Sequence, residues 1–128
     1  MPFDPTTERP EIDFPDGEPP TELLIDDISE GDGPEAKAGD TVRAHYVGVA
    51  HSSGEEFDAS WNRGAPLDFR LGVGQVIAGW DQGIAGMKVG GRRKLTIPPH
   101  LGYGDRGAGA LIKPGETLIF VVDLFDVR

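Results

Sequence analysis

The sequence predicts an α+β domain with several antiparallel strands and one short helix. Three observations predict it. Runs of alternating apolar and polar residues recur, as in TVRAHYVGVAH (41–51) and LDFRL (67–71). The stretch IAGWDQGIAGM (77–87) changes to helical spacing, with Ile77, Trp80, Ile84 and Met87 on one face. The runs are separated by turn-forming Gly, Pro, Asp and Ser, with no β-α-β alternation.

Each element follows in chain order. TELLIDDI (21–28) reads as a short apolar strand, and SEGDGPEAKAGD (29–40) as turn. In 41–51, Val42, Ala44 and Tyr46 share one face, and Arg43 and His45 the other. SSGE (52–55) suits a hairpin turn. After EEF an irregular stretch, DASWNRGAP (58–66), leads to a strand with Leu67, Phe69 and Leu71 on one face. Three internal glycines make the helix poor in isolation, so it must be short and held by packing, with KVGG ending it. RRKLTI (92–97) is a strand with Leu95 and Ile97 inward. ETLIFVVDLFDV (116–127) is apolar on both faces, the mark of a central strand. The basic cluster Arg92, Arg93, Lys94 is expected at a solvated strand edge. His45, His51 and His100 lack partners at metal or triad spacing and are expected to be exposed.

The chain has 128 residues, enough for one domain with a modest core. It has no cysteine, which excludes disulfides, thiolate metal sites and cysteine nucleophiles, and suits a reducing compartment. No apolar run follows a basic start, and none is long enough to span a bilayer, so a cytoplasmic protein is expected. Charge is uneven. Residues 1–35 hold twelve acids and one base, whereas 36–128 hold eleven bases and ten acids. Nothing resembles a basic footprint for nucleic acid or an anionic membrane. Residues 1–20 carry Pro at 2, 5, 10, 15, 19 and 20 and read as an acidic, flexible arm preceding a domain over 21–128.

Residues 102–107, GYGDRG, have the G-x-G-x-x-G spacing of a dinucleotide-binding unit. That unit must follow a strand directly and open a helix. Here PPHL intervenes before Gly102, and AGALIKPG follows Gly107 with glycines and a proline that prevent a helix. The glycines serve a long loop, 98–115, between the last two strands. Loops of that length in compact domains are usually functional.

A set of segments then becomes specific. HYVG (45–48), EFDAS (56–60), QVIAGWDQGIAGMKVGGRRKLTIPP (75–99), GYGDRGAGALI (102–112) and TLIFVVDL (117–124) resemble the FKBP-type peptidyl-prolyl isomerases in order and spacing across about residues 21–128. The resemblance implies a twisted antiparallel sheet of about five strands wrapped around one short helix. It implies catalysis of cis/trans rotation at X-Pro bonds, without metal or cofactor. By the family pattern, Tyr46, Phe57, Val76, Ile77, Trp80, Tyr103 and Phe120 line an apolar pocket with Trp80 as its floor. The Tyr103 hydroxyl and the Ile77 N–H are the expected donors to substrate carbonyls. Asp58 is expected at the pocket edge, bonded to Tyr46 and paired with Arg63, with Leu111 and Ile112 as the upper lip. The expected partners are proline-containing polypeptides and macrolides of the tacrolimus and rapamycin type, and the expected state is a monomer.

The sequence also departs from better-known members. Ala108 stands where a His often overhangs the pocket, Leu67 replaces a common Phe, Gln75 a common Glu, and Lys113 interrupts a usual Pro-Pro. A roomier, less aromatic rim follows. The competing function is a peptide-binding or chaperone module with incidental turnover. One further possibility comes from Phe14-Pro15, an apolar-Pro dipeptide that a flexible arm could place in the pocket. Deleting residues 1–20 would then raise activity.

Overall fold

The computed structural model describes residues 10, 12, 17–109 and 112–128. Strands β1 (Leu24–Ser29), β2 (Thr41–Ala50), β3 (Glu56–Ala59), β4 (Leu67–Arg70), β5 (Arg92–Ile97) and β6 (Leu118–Val127) form one antiparallel sheet in the order β1-β5-β6-β2-β3. The helix α1 spans Ala78–Gly83. β3 and β4 share one side of β2, opposite Val47–Val49 and Thr41–Ala44 respectively. The six strands therefore occupy five positions across the sheet.

Alternation on the strands sorts the residues onto two faces. Val42, Ala44 and Tyr46 of β2, Leu95 and Ile97 of β5, and Leu118, Phe120, Val122 and Leu124 of β6 join Trp80, Ile84 and Met87 in one core. The helix lies close on this inner face because glycine faces the sheet. A Cβ on Gly79 would stand 2.5 Å from Ile97, and one on Gly83 2.7 Å from Leu95. The regular helix ends at Gly83, so Ile84 and Met87 reach the core from the turn that follows. Three glycines in eleven residues leave little propensity to extend it. Arg93 completes its C-terminal end, donating to the Gly83 and Ala85 carbonyls while pairing with Asp27 of β1 at 2.6 Å.

Two expectations need correction. Arg92, Arg93 and Lys94 are not at a solvated edge. β5 lies between β1 and β6, Arg92 is buried against the fully buried Asp123 (2.6 and 3.0 Å), and Arg93 is half-buried. An arginine can sit there because its fork meets both carboxylate oxygens. His45 is buried as well. Its Nδ1 lies 2.7 Å from Ser60 Oγ and its ring stacks on Trp61 with centroids 4.1 Å apart. Burial lowers its pKa. The apolar β1 is in turn an exposed edge strand, with Leu24, Ile25 and Ile28 about half open to solvent.

The expected arm falls mostly outside the described residues, and so does Phe14-Pro15. Where it is described, Pro10 is buried, Ile12 is half-buried, and Gly17 and Pro19 border a shallow cavity with His51, Ser52, Gly115, Glu116 and Thr117.

Candidate functional site

The loop 98–115 begins with a short 3-10 turn, Pro99–Leu101. Among the described residues no helix follows the glycine spacing. Gly107 has φ +66°, and a Cβ there would collide with the Ile112 carbonyl oxygen, so the third glycine turns the loop on itself. The Ala108 N–H donates to that same carbonyl at 2.8 Å. Tyr103, in the same loop, is left 41% exposed at the mouth of a cavity.

That cavity has a volume of about 590 Å³. Tyr46 of β2, Phe57 and Asp58 of β3, Leu67 of β4, Val76, Ile77 and Trp80 around the helix start, Tyr103 and Ile112 of the loop, and Phe120 of β6 line it. Six regions distant in sequence thus meet at one place. Trp80 is nearly closed from solvent at 4% exposure. The rings of Tyr46 and Phe120 meet its ring nearly perpendicularly at 4.8 and 5.2 Å, and Phe69 is tilted against it at 5.5 Å. Such edge contacts hold a ring plane at a fixed orientation. Its indole N–H has no partner among the described residues, so the ring is held by packing alone.

The polar wall is one network. Tyr46 donates its hydroxyl hydrogen to Asp58 at 2.5 Å, Arg63 Nη1 donates to Asp58 at 2.9 Å, and Arg63 Nη2 donates to the Tyr46 hydroxyl at 2.7 Å. Arg63 comes from the 3-10 turn Ser60–Arg63, which is pinned to β2 because the Tyr46 N–H donates to buried Ser60 Oγ at 2.7 Å. Burial raises the Tyr46 pKa, and the bond to Asp58 adds to this against the opposing effect of Arg63. Burial likewise raises that of Tyr103, with the Asp58 charge adding. Both phenols are therefore proton donors at neutral pH.

Of the residues singled out in the sequence, Arg63 stands behind the wall rather than on the lining. Ala108 is half-buried in the loop and does not line the cavity, and Leu111 lies outside the described residues. Gln75, noted only as a departure, does line it, and its side-chain oxygen accepts the Arg70 N–H at 2.8 Å. Asp81 was missed; it accepts the N–H groups of Gly72 and Gly74 and so fixes the turn that delivers Val76 and Ile77. Gly48 was missed as well. A Cβ there would lie 2.6 Å from Phe120 and 2.7 Å from Phe57, so its bareness seats both rings. A glycine in mid-strand was the available signal for it. Among the described residues no group of three or more His, Asp or Glu side chains is arranged to hold a metal, and no helix is long and apolar enough to cross a membrane.

Comparison with known proteins places the chain in a family. The family model for the FKBP-type peptidyl-prolyl cis-trans isomerase matches residues 33–125. An FK506-binding protein of Streptomyces anulatus is 73% identical over 121 residues, covering 94% of this chain and 98% of that one. A probable FK506-binding protein of Corynebacterium glutamicum is 52% identical over 117 residues, covering 91% and 97%. Among solved structures, AtFKBP13 superposes with a TM-score of 0.78 at 47% identity, covering 86% of this chain and 96% of that one. FkpA from Escherichia coli does so with 0.76 at 44%, covering 84% and 49%. The chain belongs to the FKBP-type peptidyl-prolyl cis-trans isomerases, enzymes that rotate the peptide bond preceding proline.

Proposed function

We propose that the cavity as a whole accelerates X-Pro rotation, by desolvation and placement rather than by any single reactive group. The amide is planar through resonance, and rotation costs about 18–20 kcal/mol. At the twisted transition state resonance and its charge separation are lost. A low-dielectric site therefore favours that state over the dipolar planar ground state. No bond is broken, so neither a nucleophile nor a cofactor is called for.

The observation that carries this reading is the Trp80 floor, boxed in by Tyr46, Phe69 and Phe120 beneath an open apolar cavity. The prolyl ring rests on Trp80, with Phe57, Val76, Ile112 and Phe120 at its sides. Tyr103 at the mouth and the Ile77 N–H at the helix start donate to the two carbonyls flanking the bond. Asp58, held by Tyr46 and Arg63, keeps the wall polar where the substrate backbone passes. Leu67 makes the rim roomier, and Ile112 supplies the upper lip. Macrolides of the tacrolimus and rapamycin type fill the same cavity. Residues 21–128 are the isomerase domain, acting as a cytoplasmic monomer on proline-containing polypeptides.

The test is isomerase activity on a Leu-Pro or Phe-Pro peptide with and without rapamycin. Catalysis abolished by one equivalent of rapamycin supports the shared cavity. A folded protein whose catalysis is indifferent to bound rapamycin places turnover elsewhere and overturns it.

A further inference from the structure

Strand β2 has a gap along one side. β4 pairs with it over Thr41–Ala44 and β3 over Val47–Val49, so among the described residues no strand stands opposite His45 and Tyr46 on that side. Tyr46 is buried, so a backbone N–H and C=O left without partners there would cost free energy. One side chain fills the gap. Ser60, at 0% exposure, accepts the Tyr46 N–H at 2.7 Å and donates to the Tyr46 carbonyl at 3.3 Å. Its hydroxyl thus stands in for a strand residue. His45, on the outer face of β2, makes a third contact, with Nδ1 2.7 Å from the same oxygen. A hydroxyl has one hydrogen and two acceptor lone pairs, so all three contacts are met together only when His45 Nδ1 donates. The stacked Trp61 ring holds that imidazole in place.

Ser60 also sits between the three members of the polar wall. Asp58 lies two residues before it on β3, Arg63 three residues after it at the end of the 3-10 turn, and Tyr46 is the residue it holds. Those three bond to one another at 2.5–2.9 Å. An exposed ion pair holds its own geometry weakly, and the Asp58 and Arg63 side chains are 44% and 51% exposed. The wall therefore needs a support that water does not reach. Resting on the reading of that cavity as the isomerase site, we propose that Ser60 is a positioning residue for isomerisation: its buried hydroxyl fixes the turn against β2 and so sets where Tyr46, Asp58 and Arg63 stand.

Ser60 does not line the cavity, so it acts through its neighbours. The β3 ladder ends one residue earlier, where Ala59 pairs with Val47, and the turn has no side-chain cap. Beyond that pair, the buried tie between the turn and β2 is the Ser60 hydroxyl. A turn that slips carries the Arg63 guanidinium with it, and that group makes two of the wall's three bonds. A displacement of about 1 Å remote from the reacting bond can cost on the order of a hundredfold in rate. A serine that only filled a polar gap would affect stability and leave the wall and catalysis alone.

Three variants of the full chain separate these roles. Ser60→Ala removes the hydroxyl. Ser60→Cys keeps a group of similar size that bonds weakly, and it serves if the alanine variant does not fold. Ser60→Thr keeps the hydroxyl. The carbon-13 signal of Tyr46 Cζ reports the phenol's bond to Asp58, and kcat/KM is measured on a Leu-Pro peptide. The alanine variant is expected to shift the Tyr46 signal and lower kcat/KM about tenfold, with cysteine between it and native and threonine within about threefold of native. Gly83→Ala, whose Cβ would meet Leu95 at 2.7 Å, loses stability away from the wall and keeps the native Tyr46 signal. An unmoved Tyr46 signal in the alanine and cysteine variants overturns the proposal and leaves the cavity mechanism standing. So does a threonine variant no better than the alanine one. A shifted signal with native kcat/KM overturns it together with the reading of the wall as part of the isomerase site.

Discussion

Gly48→Ala tests whether the aromatic walls of the cavity are seated on a bare backbone. The new Cβ would stand 2.6 Å from Phe120 Cε1 and 2.7 Å from Phe57 Cζ. Carbon atoms rest about 3.5–4.0 Å apart, so the rings must withdraw by roughly 1 Å. Phe120 has little room, being 3% exposed with the Trp80 ring 5.2 Å and the Tyr46 ring 6.1 Å from its own. Phe57 is half-buried and gives way toward the cavity. Overpacking of this kind costs about 1–3 kcal/mol. At an unfolding entropy near 2.1 cal/mol/K per residue, that lowers the Tm of this chain by roughly 4–11 °C. The shifted rings narrow the cavity, and kcat/KM on a Leu-Pro peptide is expected to fall about tenfold, equivalent to ~1.4 kcal/mol of transition-state stabilisation. Gly83→Ala is the control. Its Cβ would meet Leu95 at 2.7 Å, so it loses comparable stability without touching a ring that lines the cavity. Its kcat/KM, measured well below either Tm, should stay within about twofold of the native value. A Gly48→Ala enzyme with native Tm and native kcat/KM would refute the reasoning.

Three further outcomes are expected. Tyr103→Phe removes one neutral hydrogen bond, worth about 1 kcal/mol, so kcat/KM falls by roughly fivefold at most; loss of nearly all activity would contradict a mechanism spread over the cavity. Asp123→Ala leaves the Arg92 charge buried without its carboxylate and should cost about 3–5 kcal/mol in urea unfolding, whereas adding Arg92→Met should restore part of it; a single variant as stable as the native chain would show that the pair matters little. Burial holds the His45 pKa below its usual 6.5 in the folded state, so its contribution is complete above pH 6.5 and is lost as pH falls through the folded value. The Tm of the native chain should therefore fall more between pH 7 and about 5 than that of His45→Gln; equal slopes would show that His45 takes up its proton without cost.

What the sequence disclosed and what it hid divide along a physical line. Alternation located β2, β4 and β5 because their inner residues are apolar and their spacing is strict, and a run apolar on both faces located β6. The helix was legible in Trp80, Ile84 and Met87, though its end was not, since turn residues can fill helical spacing without helical hydrogen bonds. Outer-face burial was legible on β6, which is apolar on both faces, but not at its polar positions or on its neighbours. His45, Arg92 and Asp123 are polar, and polar residues on a strand are normally read as facing water; the Arg92–Asp123 pair and the bond of His45 to Ser60 make them buriable. At the site, the lining residues came from a resemblance, whereas Gly48 and Asp81 act through space left empty and through backbone N–H groups. A glycine in mid-strand was the signal for the first, and the second leaves none in a side-chain pattern.

The placement of β6 has a consequence for how the molecule comes into being. It is the last strand in chain order, yet it lies between β5 and β2, and Phe120 pairs in register with Gly48. During synthesis β2 leaves the ribosome with its principal partner still unmade, although β3 and β4 can pair with its other side as they emerge. The loop closed by the β2–β6 pairing is long, so its entropy is spent in one late step. Until residues 118–127 emerge, an apolar β2 has its inner side open to any other chain. A molecule that eases slow steps for other polypeptides thus has to pass its own commitment point after translation of its final strand.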